Sequence, residues 1–157
     1  MQIKITSGVG SGPTALGAFD AALRNAGIEN YNLIPLSSVI PPGAEILRVR
    51  PTVRSSEYGH RLYVVMARHD ASEPGEEAWA GLGWTQEPES GRGLFVELHG
   101  SSRLSVHGAI ESTLDAMKAA RDYDYAKNES LIVGGICEGK PLCAVAIAVY
   151  TSEPWEA

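Results

Sequence analysis

Polar and apolar residues alternate over Gln2-Ile3-Lys4-Ile5-Thr6, the period of a half-buried strand, and the alternation breaks at Ser7-Gly8-Val9-Gly10-Ser11-Gly12, read as a strand-to-helix turn. Pro13 suits a first helical position. Leu16, Phe19, Leu23 and Ala26 then fall at i, i+3, i+7 and i+10, which predicts a helix over 13–26 with those four as its buried stripe and Gly27 as its stop. From Tyr31 to Ile40 runs a single stretch of extended-state formers, closed by Pro41-Pro42 because proline cannot donate to a ladder. Further strands are expected at 46–53, 61–69, 77–86, 93–99, 130–137 and 141–150, each bounded by glycine, proline or charged residues. A second helix at 104–121 places Val106, Ile110, Leu114 and Met117 on one face. Two helices among about eight strands, joined mostly by hairpin-length connections, predict an α+β fold with helices covering mostly antiparallel sheets. Residues 85–93 form a polar loop, and neither a linker nor an internal repeat divides the chain, so 1–157 is expected to be one domain.

Composition narrows the partners. The 17 glycines lie between apolar runs and read as turns. With 44% hydrophobic and 20% charged residues the chain is globular, and its net charge of −6, with no run of lysine or arginine, argues against nucleic acid and anionic membranes while suiting a cationic small molecule. No apolar stretch reaches the length of a membrane span and the first residues lack a signal-peptide pattern, so a cytoplasmic protein is expected. Cys137 and Cys143 are too few for a disulfide framework and are expected to be buried thiols.

Most familiar chemistry is absent from the motifs. The glycine run fails as a phosphate loop, since Pro13 stands where a third glycine is needed and no Gly-Lys-Ser/Thr follows. His60, His69, His99 and His107 lie on separate elements without metal-ligand spacing, no Gly-x-Ser-x-Gly elbow is present, and Asp122, Asp124 and Glu129 read as a solvated helix end. Ser37-Ser38 stands apart from Ser55-Ser56 and Ser101-Ser102 because it interrupts an apolar extended run, where a hydroxyl is costly unless it has a partner or a purpose. A structural pair hydrogen-bonded within a strand is the competing reading.

Three blocks give that segment a context: Gly12-x-Thr14-x-Leu16-x-Ala18-Phe19-Asp20-x-Ala22-Leu23-x-x-Ala26-Gly27-Ile28-x-Asn30-x-Asn32-Leu33-Ile34, then Ser37-Ser38-x-x-Pro41-Pro42-x-Ala44-Glu45-Ile46, and later Gly93-Leu94-x-x-Glu97-x-x-Gly100. Together they resemble the pyruvoyl-dependent arginine decarboxylase family. The resemblance thins over 47–92 to positions such as Tyr58-Gly59 and Gly75-Glu76. It implies a four-layer αββα sandwich, assembled as a homotrimer with the active site between subunits. It also implies cleavage between Ser37 and Ser38, leaving 1–37 as a β chain and 38–157 as an α chain that begins with a covalent pyruvoyl group derived from Ser38. That carbonyl would act as the electron sink for converting L-arginine to agmatine, a polyamine precursor, with no metal and no pyridoxal phosphate.

Residue roles follow from the same resemblance. Asn32 would supply an oxyanion donor for cleavage, its alternative being an amide that ties down a turn. Glu97 would be the proton donor, its apolar setting Leu94-Phe95-Val96-Glu97-Leu98 favouring the protonated form, against the alternative of a glutamate on a solvent face shared with Phe95 and His99. Asp20 would read the substrate guanidinium, with Leu16 one turn earlier in the same substrate site. Arg24 at i+4 offers Asp20 an ordinary surface ion pair instead. Two other functions share the resemblance: an unprocessed, non-catalytic paralogue, and a pyruvoyl decarboxylase of another amino acid.

Overall fold

A computed structural model describes residues 1–52 and 54–156. Its strands are β1 (Gln2–Ser11), β2 (Asn32–Pro35), β3 (Val39–Ile40), β4 (Glu45–Arg48), β5 (Arg61–Ala71), β6 (Glu77–Gln86), β7 (Gly93–Gly100), β8 (Glu129–Ile136) and β9 (Leu142–Glu153). Its helices are α1 (Ala15–Ala26) and α2 (Arg103–Ala119). The fold is α+β. One sheet has the order β2-β5-β9-β1-β4 and the other β3-β7-β6-β8; among the described residues only β1/β4 and β2/β5 pair in parallel. No helix among the described residues is long and apolar enough to cross a membrane.

Four clusters hold these parts together, the smallest being Ala71, Ala78, Cys137 and Leu142. Ile3, Ile5, Val65, Ala67, Ala144, Ala146 and Ala148 of the five-stranded sheet meet Ile40, Ala80, Leu82, Trp84 and Phe95 of the four-stranded one. Helix α1 lies on the first sheet through Ala18, Ala22, Leu23 and Ala26, and α2 lies on the second through Val106, Ile110 and Leu114. Cys137 and Cys143 are buried free thiols, as expected, and burial pushes the Cys143 thiol up to about 12.

Several expectations are corrected. Strand β1 does not stop at Thr6 but runs on to Ser11, because Gly8 and Gly10 let α1 sit directly on the strand: a Cβ on either would collide with the Ala22 backbone. These glycines, with Gly81 and Gly83 beneath Val106 and Ile110 of α2, serve close helix–sheet contact rather than turns. Pro13 lies before the helix, whose N-cap is Thr14, accepting from the Gly17 N–H at 3.1 Å; Gly27 does end it, at φ 85°. Of the expected stripe Leu23 and Ala26 are buried and Phe19 packs at its edge, while Ala18 and Ala22 complete the contact at i, i+4 and i+8 with Ala26; Leu16 faces away from the sheet and is 74% exposed. The run from 31 to 40 is two strands in different sheets, and the strand expected at 46–53 ends at Arg48, with Val53 outside the described residues.

Candidate active site

The break between β2 and β3 builds the site. Strand β2 pairs with β5 from Asn32↔Arg61 to Pro35↔Val64, and Leu36 N–H extends the pairing to Val64 O at 2.8 Å. Two residues further on the chain has joined β7 of the other sheet, with Val39↔Leu94 and Ile40↔Gly93 in register. Leu36 and Ile40 both pack in the core between the sheets, so the chain is anchored on either side of Ser37-Ser38 while the serines bridge the gap. Ser37 is exposed and Ser38 half-buried.

At the bridge four hydrogen-bonded contacts surround Ser38. Its Oγ donates to Glu97, 2.8 Å from Oε2 and 3.0 Å from Oε1. Its carbonyl accepts from the Phe95 N–H at 3.0 Å, and the Val39 N–H turns back to the Ser37 carbonyl at 2.9 Å, closing a γ-turn centred on Ser38. Val39 O in turn accepts from the Tyr150 hydroxyl at 2.8 Å. Burial first, and the negative charge of Glu97 second, push the Tyr150 phenol well above its ordinary range, so it remains a donor. The Tyr150 ring meets Phe95 edge-on, with centroids 6.2 Å apart.

Glu97 shares a face of β7 with Phe95, and that face turns toward the other sheet; Leu94, Val96 and Leu98 take the α2 side. The solvent-face alternative for Glu97 therefore fails. His99, two residues on, meets His69 of β5 with ring centroids 5.0 Å apart, a pairing that motif spacing could not reveal. Among the described residues no group of three or more His, Cys, Asp or Glu side chains is arranged to hold a metal ion.

The other expected site residues lie elsewhere in the chain. Asn32 gives its side-chain N–H to Gly59 O at 2.7 Å and makes no hydrogen bond to Ser37 or Ser38. Asp20 is paired with Arg24 at 2.6 Å, both side chains exposed, and Leu16 stands one turn away on the same open flank of α1. Tyr150 was missed by sequence reasoning. Its only signal is that it ends the buried series Ala144, Ala146, Ala148 with an aromatic hydroxyl, a group that seeks a partner when it leaves water.

Comparison with known proteins agrees along nearly the whole chain. Residues 2–154 match the family model described as pyruvoyl-dependent arginine decarboxylase. The chain is 36% identical over 155 residues to a pyruvoyl-dependent arginine decarboxylase of Halobacterium salinarum, an alignment covering 95% of this chain and 93% of that protein. Similarity to the proteins of that name from Thermoplasma volcanium (33% over 164 residues, covering 98% and 90%) and to number 1 of Archaeoglobus fulgidus (32% over 135 residues, 84% and 86%) is nearly as extensive.

Proposed function

The chain belongs to the pyruvoyl-dependent arginine decarboxylase family, and from that premise we infer that it converts L-arginine to agmatine and CO2 after cutting itself between Ser37 and Ser38. The observation that carries the reading is the Ser38 hydroxyl held by both Glu97 oxygens where the chain passes from one sheet to the other. The residues present suit a pyruvoyl group made from Ser38: the half-buried position faces a carboxylate, its amide carbonyl is held by the Phe95 N–H, and the exposed Ser37 can move away as a new C-terminus.

Such a group supplies a carbonyl conjugated with an amide, which draws off the electrons left by CO2 as pyridoxal phosphate does elsewhere. Glu97, already within hydrogen-bond reach of the position, is the residue we assign to proton delivery. The Phe95 N–H donates to the conjugated amide oxygen and so favours charge there. Asp20, with Leu16 beside it, is assigned to the substrate guanidinium, and Asn32 to the oxyanion of the cleavage step. Since none of the three contacts Ser38 within one chain, we place them at the sites of neighbouring copies in a homotrimer of αβ units. The two helix–sheet clusters and the inter-sheet core support reading the domain, residues 1–157, as a four-layer αββα sandwich.

Intact-mass measurement of the purified protein tests the reading. A 16.7 kDa chain divided 37:120 gives pieces of about 4 and 13 kDa, the larger without a free amino terminus, and Ser38→Ala leaves the chain whole. A full-length chain that persists on prolonged incubation, with no agmatine formed from arginine, defeats it.

A further inference from the structure

We propose that Tyr150 is a positioning residue for self-cleavage, and that the Val39 backbone N–H is the donor within the chain to the Ser37 carbonyl oxygen as that oxygen gains negative charge. The inference rests on Ser37–Ser38 being the cleavage site. Its first support is strand geometry. The bond from Phe95 N–H to Ser38 O marks 38/95 as a hydrogen-bonded pair, so by the alternation of an antiparallel ladder Val39 turns both its N–H and its C=O away from β7. Unpaired edge groups ordinarily go to water. Here the N–H goes to Ser37 O at 2.9 Å and the C=O takes the Tyr150 hydroxyl at 2.8 Å.

The second support is how little else holds this segment. Strand β3 is two residues long, and among the described residues Tyr150 makes the only hydrogen bond from the five-stranded sheet to residues 37–40. Its ring also packs on Phe95, the residue whose N–H fixes the Ser38 carbonyl. Tyr150 therefore sets the orientation of the strand from one side and Phe95 from the other, and the γ-turn between them aims the Val39 N–H at the scissile carbonyl.

The chemistry uses that aim. Ser38 Oγ attacks the Ser37 carbonyl carbon, closing a five-membered ring of that carbon with Ser38 N, Cα, Cβ and Oγ. An Oγ–C bond forms, the C–N bond breaks, and the hydroxyl proton ends on the nitrogen released as the Ser38 amine, so amide becomes ester with no co-reactant. Negative charge develops on Ser37 O, where a fixed N–H already points, and the loss of one such donor costs about 10²–10³ in rate.

The test follows cleavage of freshly purified full-length protein by intact mass, with and without hydroxylamine, which cuts the ester once the shift has occurred. Tyr150→Phe keeps the ring and removes the hydroxyl. Cleavage about tenfold slower, unrelieved by hydroxylamine and with the melting temperature nearly unchanged, is the expected result. Cleavage at the unaltered rate makes the hydroxyl a stability contact only and overturns the proposal; slow cleavage that hydroxylamine restores places the defect after the shift and overturns it too. Val39→Pro removes the donated N–H at a strand edge where proline is tolerated, and should slow cleavage about a hundredfold, whereas Val39→Ala, which keeps it, should not. Equal rates for those two variants overturn the donor assignment even if Tyr150→Phe does not fold. An unmodified chain that never cleaves defeats the cleavage reading itself, and the proposal with it.

Discussion

At Glu97 the carboxylate meets a hydroxyl through both oxygens, between the sheets, whereas at Asp20 it meets a guanidinium at 2.6 Å on an open helix flank. The two surroundings call for different experiments. Glu97→Gln keeps the shape and the acceptor for Ser38 but cannot deliver a proton. Cleavage should therefore continue while kcat falls by about 10²–10⁴, measured as CO2 release from the cleaved protein. For Asp20 the informative change is at its partner. An exposed i,i+4 pair contributes only about 0.3–0.5 kcal/mol, so Arg24→Ala should leave stability nearly unaltered; if Asp20 reads substrate, releasing it should lower the KM for arginine or leave it unchanged, and a raised KM counts against that role. Ser38 stood out in the sequence as a hydroxyl within an apolar extended run and Glu97 through the family resemblance, but their contact was not legible there, since it joins residues 59 positions apart. Tyr150 could not be anticipated, because its partner lies 111 residues away and nothing in its neighbourhood marks the contact.

Helix periodicity located α1 and α2 within about two residues and placed Leu23 and Ala26 correctly on the buried side of α1, but it included the exposed Leu16 and missed Ala18 and Ala22, because a count of large apolar residues cannot anticipate a strand stripped of side chains. Where Gly8 and Gly10 admit the helix, Ala22 is the residue in closest approach, beside buried Ala18, Leu23 and Ala26, and Leu16 is turned outward. Gly10→Ala should accordingly destabilise by about 1–3 kcal/mol in urea denaturation, while Gly108→Ala on α2, where a Cβ meets nothing within 4 Å, should stabilise by about 0.5–1 kcal/mol. The split of 31–40 was equally hidden, since which sheet a residue joins depends on distant partners. A separate tie holds the start of that segment: Tyr31 donates to Glu57 at 2.6 Å, and Ser152 of β9 donates to the same oxygen at 3.1 Å. The Tyr31 bond holds the Glu57 carboxyl below its ordinary range, so its stabilisation is present above the unfolded value of about 4.3 and is lost as pH falls through the folded one. Burial, then Glu57, raises Tyr31 to about 12, so that contribution is present below about 10 and is lost as pH rises toward 12. Tyr31→Phe should flatten both limbs of stability against pH.

Across the whole molecule, the site is split by sequence position. The residues we assign to one reaction lie on α1, β2, the bridge between β2 and β3, and β7, and if they act together those that do not meet within a chain must meet between chains. Chains carrying Ser38→Ala and chains carrying Asp20→Asn, each inactive toward arginine alone, should regain activity when co-expressed, with about a quarter of sites intact if they mix at random; no recovery in mixed trimers refutes a shared site. The strand order adds a demand on timing. Strand β9 is the last of the described strands in the chain and the middle one of its sheet, flanked by β5 and β1, and it carries the tyrosine that grips Val39. A nascent chain still threaded through the ribosome has an open slot where that strand belongs, with Ile3, Ile5 and Val65 lacking their cover. Translation arrested before Tyr150 emerges should yield only uncut polypeptide, and cutting should begin once β9 has seated, so that the appearance of the amino-terminal piece works as a clock for the completion of folding.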